Sequence, residues 1–166
     1  DYPSWLMPVK NGATTMWERW NSWTPKDGFG PVSMNSFNHY AFGAVGDWLY
    51  RGVAGLDYNT PGYRSLKIHP RPGGGLTHAS AWHETPYGRA ESAWRITGSK
   101  AICTVVIPAN TTAQLVLPAR IRKSIVPTGP AKVTLRKHPD GLTTDLCPGR
   151  WKFTISNPIL TPIHRD

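Results

Sequence analysis

Over residues 65–166 apolar side chains recur at every second position, the spacing of a strand that buries one face. Ser92, Trp94 and Ile96 alternate with Ala93, Arg95 and Thr97. Cys103, Val105 and Ile107 share one face, as do Ala113, Leu115 and Leu117, and again Trp151, Phe153 and Ile155. Turn residues separate these runs: Thr85-Pro86-Tyr87-Gly88, Gly98-Ser99, Pro108-Ala109-Asn110, His138-Pro139-Asp140-Gly141 and Pro148-Gly149. Gly98-Ser99 has the composition of a two-residue hairpin loop. The pattern predicts an antiparallel β-sandwich of about seven or eight strands over 65–166. Trp82, Trp94 and Trp151 fall on these strands and are expected in the core.

Residues 1–64 read differently. They hold 13 of the 18 aromatic residues, with 5 Lys/Arg against 5 Asp/Glu, whereas residues 65–166 hold 14 against 5. Two compositions in one chain predict two structural units. Thr15 and Glu18 fit a capping box, which predicts a short helix over Met16–Trp20. Asn35 or Ser36 is expected to cap a longer helix, with Phe37, Tyr40, Ala41, Ala44, Val45, Trp48, Leu49 and Val53 on its apolar face. Gly43 and Gly46 within it predict a close neighbour, and Gly52 and Gly55 its end. Residues 56–64 read as a connector. Helices this aromatic cannot bury their faces alone and call for partner helices outside the chain.

The chain lacks an apolar run of about 18 residues, so no helical membrane span is expected. Its opening, Asp1-Tyr2-Pro3-Ser4-Trp5, reads as the middle of a longer polypeptide. Cys103 and Cys147 are far apart, and either one disulfide or two buried thiols is compatible with them. The net charge of +9 raises nucleic-acid binding as a possibility. However, the basic cluster of Arg120, Arg122, Lys123, Lys132, Arg136 and Lys137 has no interleaved aromatics. It reads as a solvated strand face, with no nucleic acid and no membrane as partner. His69, His78, His83, His138 and His164 show no metal-ligand spacing, and no phosphate loop, nucleophile elbow or dinucleotide fingerprint occurs. Neither metal nor cofactor is expected.

Glu18 is the sharpest candidate for chemistry. It is flanked by Trp17 and Trp20, with Trp23 one turn on. Indoles stack on the C–H faces of pyranose rings, and a carboxylate among them can activate water for attack on a sugar. The commoner use of a Thr-x-x-Glu pattern is a helix cap, and spacing alone leaves both readings open. His39 lies on the side of the second helix that carries Gly43 and Gly46. It can serve as a sugar-hydroxyl partner or as a structural histidine.

Three stretches, Gly12-Ala13-Thr14-Thr15-Met16-Trp17-Glu18-Arg19-Trp20, Met34-Asn35-Ser36-Phe37-Asn38-His39-Tyr40-Ala41 and Gly46-Asp47-Trp48-Leu49-Tyr50-Arg51, resemble the bacterial and fungal α-L-rhamnosidases of glycoside hydrolase family 78. The likeness continues through Ala54-Gly55-Leu56, Pro61-Gly62-Tyr63, Thr85-Pro86-Tyr87-Gly88, Ile107–Ala113 and Gly149-Arg150-Trp151-Lys152-Phe153. The resemblance implies the last helices of an (α/α)6 catalytic barrel over 1–64, followed by an antiparallel β-sandwich over 65–166. It implies inverting hydrolysis of terminal α-L-rhamnosides in a glycoside or polysaccharide. Glu18 falls on the family's general base and His39 on a histidine of the rhamnose pocket, with Trp17 and Trp20 as pocket or wall residues. The family's general acid matches nothing here, so the missing N-terminal part of the same enzyme is an implied partner and the fragment alone is expected to be inactive. The alternative is a carbohydrate-binding β-sandwich without catalysis.

Overall fold

The computed structural model describes residues 2–119 and 124–158, in two compact units, 1–47 and 48–166. Arg120, Arg122 and Lys123 of the basic cluster lie outside the described residues, as does His164.

The first unit departs from the helical expectation. It opens with α1 (Leu6–Lys10), then a ribbon of β1 (Trp23–Thr24) and β2 (Gly28–Phe29), and a 3-10 turn at Val32–Met34. No helix forms over Met16–Trp20 or from Asn35 to Tyr40. The reason is visible in the polar groups that were expected to cap them. The Thr15 hydroxyl donates to the Phe37 carbonyl, and a Glu18 carboxylate oxygen accepts the Ser36 amide, so the two are not a box. The Asn35 amide donates to the Ser22 carbonyl at 2.9 Å rather than capping a helix. Helical structure resumes as a 3-10 turn at Ala41–Ala44 and α2 (Val45–Trp48). A Cβ on Gly43 would only just touch Met16, at 4.0 Å, and one on Gly46 would meet nothing within 4 Å. These glycines therefore mark no tight approach among the described residues. Trp5, Phe29, Met34 and Tyr40 are exposed.

In the second unit, residues Leu49–Ala54 form a π-helical turn that ends at Gly55 in the left-handed region, φ 76°. A Cβ there would stand 2.1 Å from the Pro70 nitrogen, so only glycine fits. The chain then forms β3 (Leu56–Tyr58), β4 (Ser65–Ile68), β5 (His78–Thr85), β6 (Gly88–Thr97), β7 (Lys100–Ile107), β8 (Thr112–Leu117), β9 (Ile125–Thr128), β10 (Arg136–His138), β11 (Gly141–Leu146) and β12 (Gly149–Ser156). They make two five-stranded sheets, ordered β10-β11-β8-β4-β3 and β5-β6-β7-β12-β9. One continuous core draws Leu66, Ile68, Leu115 and Leu142 from the first sheet and Trp94, Val105, Trp151 and Phe153 from the second, which is the signature of a sandwich. The β6–β7 hairpin turns on Gly98-Ser99, with Thr97 paired to Lys100. Two features depart from expectation. Residues 56–58 are a strand rather than a connector, because Leu56 is buried and pairs with Ile68. The β4–β8 pair is parallel, so the sandwich is not wholly antiparallel.

Trp94 and Trp151 are buried, as expected, but Trp82 is 51% exposed. Ala81, next to it on β5, takes the inward face, so Trp82 must point out, where the Arg89 guanidinium lies over its ring at 4.4 Å. The Trp94 indole donates to the Val53 carbonyl at 2.8 Å and the Ser92 hydroxyl to the Ala54 carbonyl at 2.7 Å. These bonds satisfy the backbone of the turn before β3. Both cysteines are free. Cys103 is buried, and burial pushes its thiol up to about 12, whereas Cys147 is exposed instead of buried. No helix among the described residues is long and apolar enough to cross a membrane.

His69 is buried beyond β4, and desolvation lowers its pKa to about 4. Arg71, His138 and Lys67 push the same way, while Asp140, 3.6 Å from Nε2, opposes them. At neutral pH the ring is therefore uncharged, and its contact with Asp140 is not an ion pair. The folded chain binds fewer protons here than the unfolded chain, whose histidine titrates near 6.5. The resulting stability is fully present above that value and is lost as pH falls toward 4. Its size is about 3 kcal/mol. Urea unfolding of the chain and of His69→Gln at several pH values checks this. The parent should lose more stability than the variant over that window.

Candidate active site

Residues 15–18 lie beside residues 36–39. The Glu18 amide donates to the Ser36 carbonyl at 2.9 Å, and the His39 amide to the Met16 carbonyl at 2.8 Å. This pairing, with the Thr15 hydroxyl on Phe37, brings Glu18 and His39 together from opposite segments. Both candidates come from irregular backbone held by cross-segment hydrogen bonds, not from helices.

The two oxygens of Glu18 differ. Oε2 accepts the Ser36 amide at 2.8 Å, which fixes the carboxylate plane. Oε1 faces Nε2 of His39 at 3.9 Å. Nδ1 of His39 accepts the Ala41 amide at 3.3 Å, so the neutral ring carries its proton on Nε2, toward Glu18. The gap is too long for a direct hydrogen bond. Both groups keep access to solvent, with side chains 19% and 33% exposed for Glu18 and His39. A carboxylate with one oxygen tied and the other open, beside an N–H donor, can accept a proton from a bound hydroxyl or water.

Aromatic rings pack on one another among the residues that neighbour the pair in sequence. Trp17 is buried and meets Phe37 edge-on at 5.2 Å, and Phe29 meets Phe37 at 5.5 Å. Trp20 lies flat on Phe42 at 3.7 Å, and Trp5 meets Trp20 edge-on at 5.1 Å while its indole donates to the Phe42 carbonyl. Trp17 is thus buried against Phe37, while Trp20 stays half-buried. Sequence spacing missed three contributors. Ser36 orients the carboxylate through its backbone, which no side-chain pattern reports. Phe42 supports Trp20. Tyr40, read as part of an apolar helix face, is 88% exposed and stacks on His39 at 5.4 Å. Asp27, the other acid within the described loops of the first unit, accepts a hydrogen bond from the Thr24 hydroxyl at 3.2 Å in the β1–β2 turn. Among the described residues no group of His, Cys, Asp and Glu is arranged to hold a metal.

Two family models match the chain: the bacterial α-L-rhamnosidase 6 hairpin glycosidase domain over residues 1–53, and the bacterial α-L-rhamnosidase C-terminal domain over residues 55–132. An α-L-rhamnosidase of Formosa agariphila is 45% identical over 75% of this chain, which spans 13% of that protein. One from Streptomyces avermitilis is 45% identical over 71% of the chain and 12% of the relative. Among solved structures, the Streptomyces avermitilis α-L-rhamnosidase complexed with L-rhamnose superimposes with a TM-score of 0.85 at 38% identity, over 94% of this chain and 15% of that one. The Aspergillus terreus α-L-rhamnosidase gives 0.77 at 35% identity, over 93% of this chain and 16% of that one. The chain thus spans about an eighth of the length of the curated relatives it matches.

Proposed function

We propose, from the premise that this chain belongs to the bacterial α-L-rhamnosidase family, that it supplies the proton-accepting carboxylate and the C-terminal sandwich of an enzyme that hydrolyses terminal α-L-rhamnosides with inversion. In this reading residues 1–64 include the closing, largely irregular segment of an (α/α)6 barrel with its short helices α1 and α2, and residues 65–166 the sandwich, which also draws β3 from the stretch before residue 65. The remaining barrel and the general acid come from the rest of the same polypeptide. The substrate is a rhamnose-containing glycoside or polysaccharide. The 166-residue chain alone turns over no rhamnoside, because nothing protonates the leaving oxygen.

Glu18 is the base. Its Oε1 takes a proton from water while the water oxygen bonds to the anomeric carbon. The glycosidic C–O bond breaks on the opposite face, and its oxygen takes the proton of the general acid. Room for the water requires the two carboxyls to stand about 6.5–9.5 Å apart. His39 offers its Nε2 proton to a sugar hydroxyl next to the base. Trp20 supplies an apolar wall for the ring, and Trp17, buried against Phe37, anchors the segment that carries Glu18. The observation that carries the reading is the asymmetry of Glu18, with Oε2 held by Ser36 and Oε1 open beside His39.

The test is proton NMR of the first sugar released from an α-L-rhamnoside by the full-length enzyme, meaning this chain joined to the rest of its barrel. Inversion gives β-L-rhamnose first, with the α anomer following by mutarotation. Release of the α anomer first would overturn the reading.

A further inference from the structure

The sandwich holds an open cavity of about 470 Å³, between residues 69–71 after β4 and the β10–β11 turn. We propose that this cavity binds the carboxylated ring of an acidic sugar. The inference stands on the second unit alone and does not depend on the role of Glu18.

The walls are fixed before any ligand arrives. Gly55 packs without a Cβ against the backbone of His69 and Pro70. Gly141, φ 146°, does the same on the other side, where a Cβ would stand 2.1 Å from the Leu117 carbonyl oxygen. Substitution at either glycine would push a wall of the cavity. A site organised in advance loses little entropy on binding.

The lining is mixed in a way that selects a class of ligand. Among the described residues of the lining, Arg71 and Lys137 supply two cationic groups and Asp140 is the one carboxylate. The balance attracts an anion. A bare inorganic anion would gain from the cations but meet Asp140, whose oxygens have nothing to offer it except repulsion. A sugar acid uses both: its carboxylate pairs with Arg71 and Lys137, and its hydroxyls donate to Asp140. His69 and His138 fit the same division. The side chain of His69 is 11% exposed, and burial keeps its ring neutral, with one N–H and one lone pair, the inventory that suits hydroxyls. Nδ1 of His138 accepts the Asp140 amide at 3.1 Å, which leaves Nε2 as the N–H of the neutral ring and fixes the turn. Pro139, the exposed apolar residue of the lining, gives the surface that the C–H face of a pyranose covers, and Pro70 and Leu142 are buried beneath it.

The probe is sodium D-glucuronate, titrated into the 166-residue chain and followed by calorimetry and amide NMR, with sodium acetate and D-glucose in parallel. Glucuronate is expected to bind about tenfold or more tightly than either, because each comparison compound lacks half of the recognised groups. The double variant R71Q/K137Q alters two exposed positions and should retain the fold. It should weaken glucuronate by about tenfold or more. Amide shifts should cluster at residues 69–71 and 138–142. Acetate binding as tightly as glucuronate would reduce the site to a simple anion site and overturn the proposal. Glucose binding equally well, or an unchanged affinity in the double variant, would overturn it too.

Discussion

Replacing Glu18 by Gln in the full-length enzyme should lower kcat on p-nitrophenyl α-L-rhamnoside by about 10²–10⁴-fold. Gln keeps the shape and the oxygen that accepts the Ser36 amide, so the carboxamide should hold the same position. It loses only the ability to take a proton. The substrate sharpens the test. Nitrophenolate leaves with little acid assistance, so a large loss points to activation of water and not to departure of the aglycone. KM should change less than kcat, since the contact matters most as the water loses its proton. Near-normal turnover would remove Glu18 from the chemistry. The measurement is the rate of nitrophenol release, with circular dichroism of the variant as the check on folding.

The second large effect is on stability. Phe153→Ala should destabilise the chain by about 3–5 kcal/mol. Phe153 is fully buried on β12, opposite Cys103 of β7 and Pro127 of β9, and its ring stacks with Trp151 at 6.2 Å. The central strands cannot close over the void, because they are tied to neighbours on both sides. A domain typically has only about 5–15 kcal/mol in total, so this one change removes a large share. Lys152→Ala, the exposed neighbour on the same strand, should stay within about 0.5 kcal/mol of the parent. Urea denaturation of the two variants side by side reads the contrast as a shift in midpoint at unchanged slope. Equal shifts would mean that β12 is not a core strand.

The sandwich was readable because its information is local. Cys103, Val105 and Ile107 alternate with residues that face outward, and a strand is the only element that separates such neighbours onto two faces. Gly98-Ser99 sets the β6–β7 register for the same reason. What could not be read is non-local. Nothing within Ser65–Ile68 announces a parallel partner at Thr112–Leu117, since pairing with a distant strand leaves no mark on spacing. Trp82 looked like core because indoles usually are, yet the inward positions of β5 go to Ala79 and Ala81. The first unit failed for a related reason. Thr15, Glu18 and Asn35 have the polar chemistry of helix caps, but each finds a partner on another segment, and the Ser36 hydroxyl accepts the Asn38 amide without a helix following. The identities of Glu18 and His39 stood out in the sequence. Their proximity did not, because it depends on backbone pairing between 15–18 and 36–39 that has no periodic signature. Sites built this way are legible as chemistry before they are legible as structure.

The most direct measurement on the base is chemical rescue of Glu18→Ala in the full-length enzyme by azide. Removing the carboxylate opens space for a small anion on the face where water would attack. Azide needs no base: its nitrogen bonds to the anomeric carbon as the glycosidic bond breaks, and the leaving oxygen takes its proton from the general acid. The account predicts that the variant is nearly inactive in buffer, that azide restores turnover, and that the product is β-L-rhamnosyl azide. An α-configured azide, or a variant as fast as the parent without azide, would contradict it.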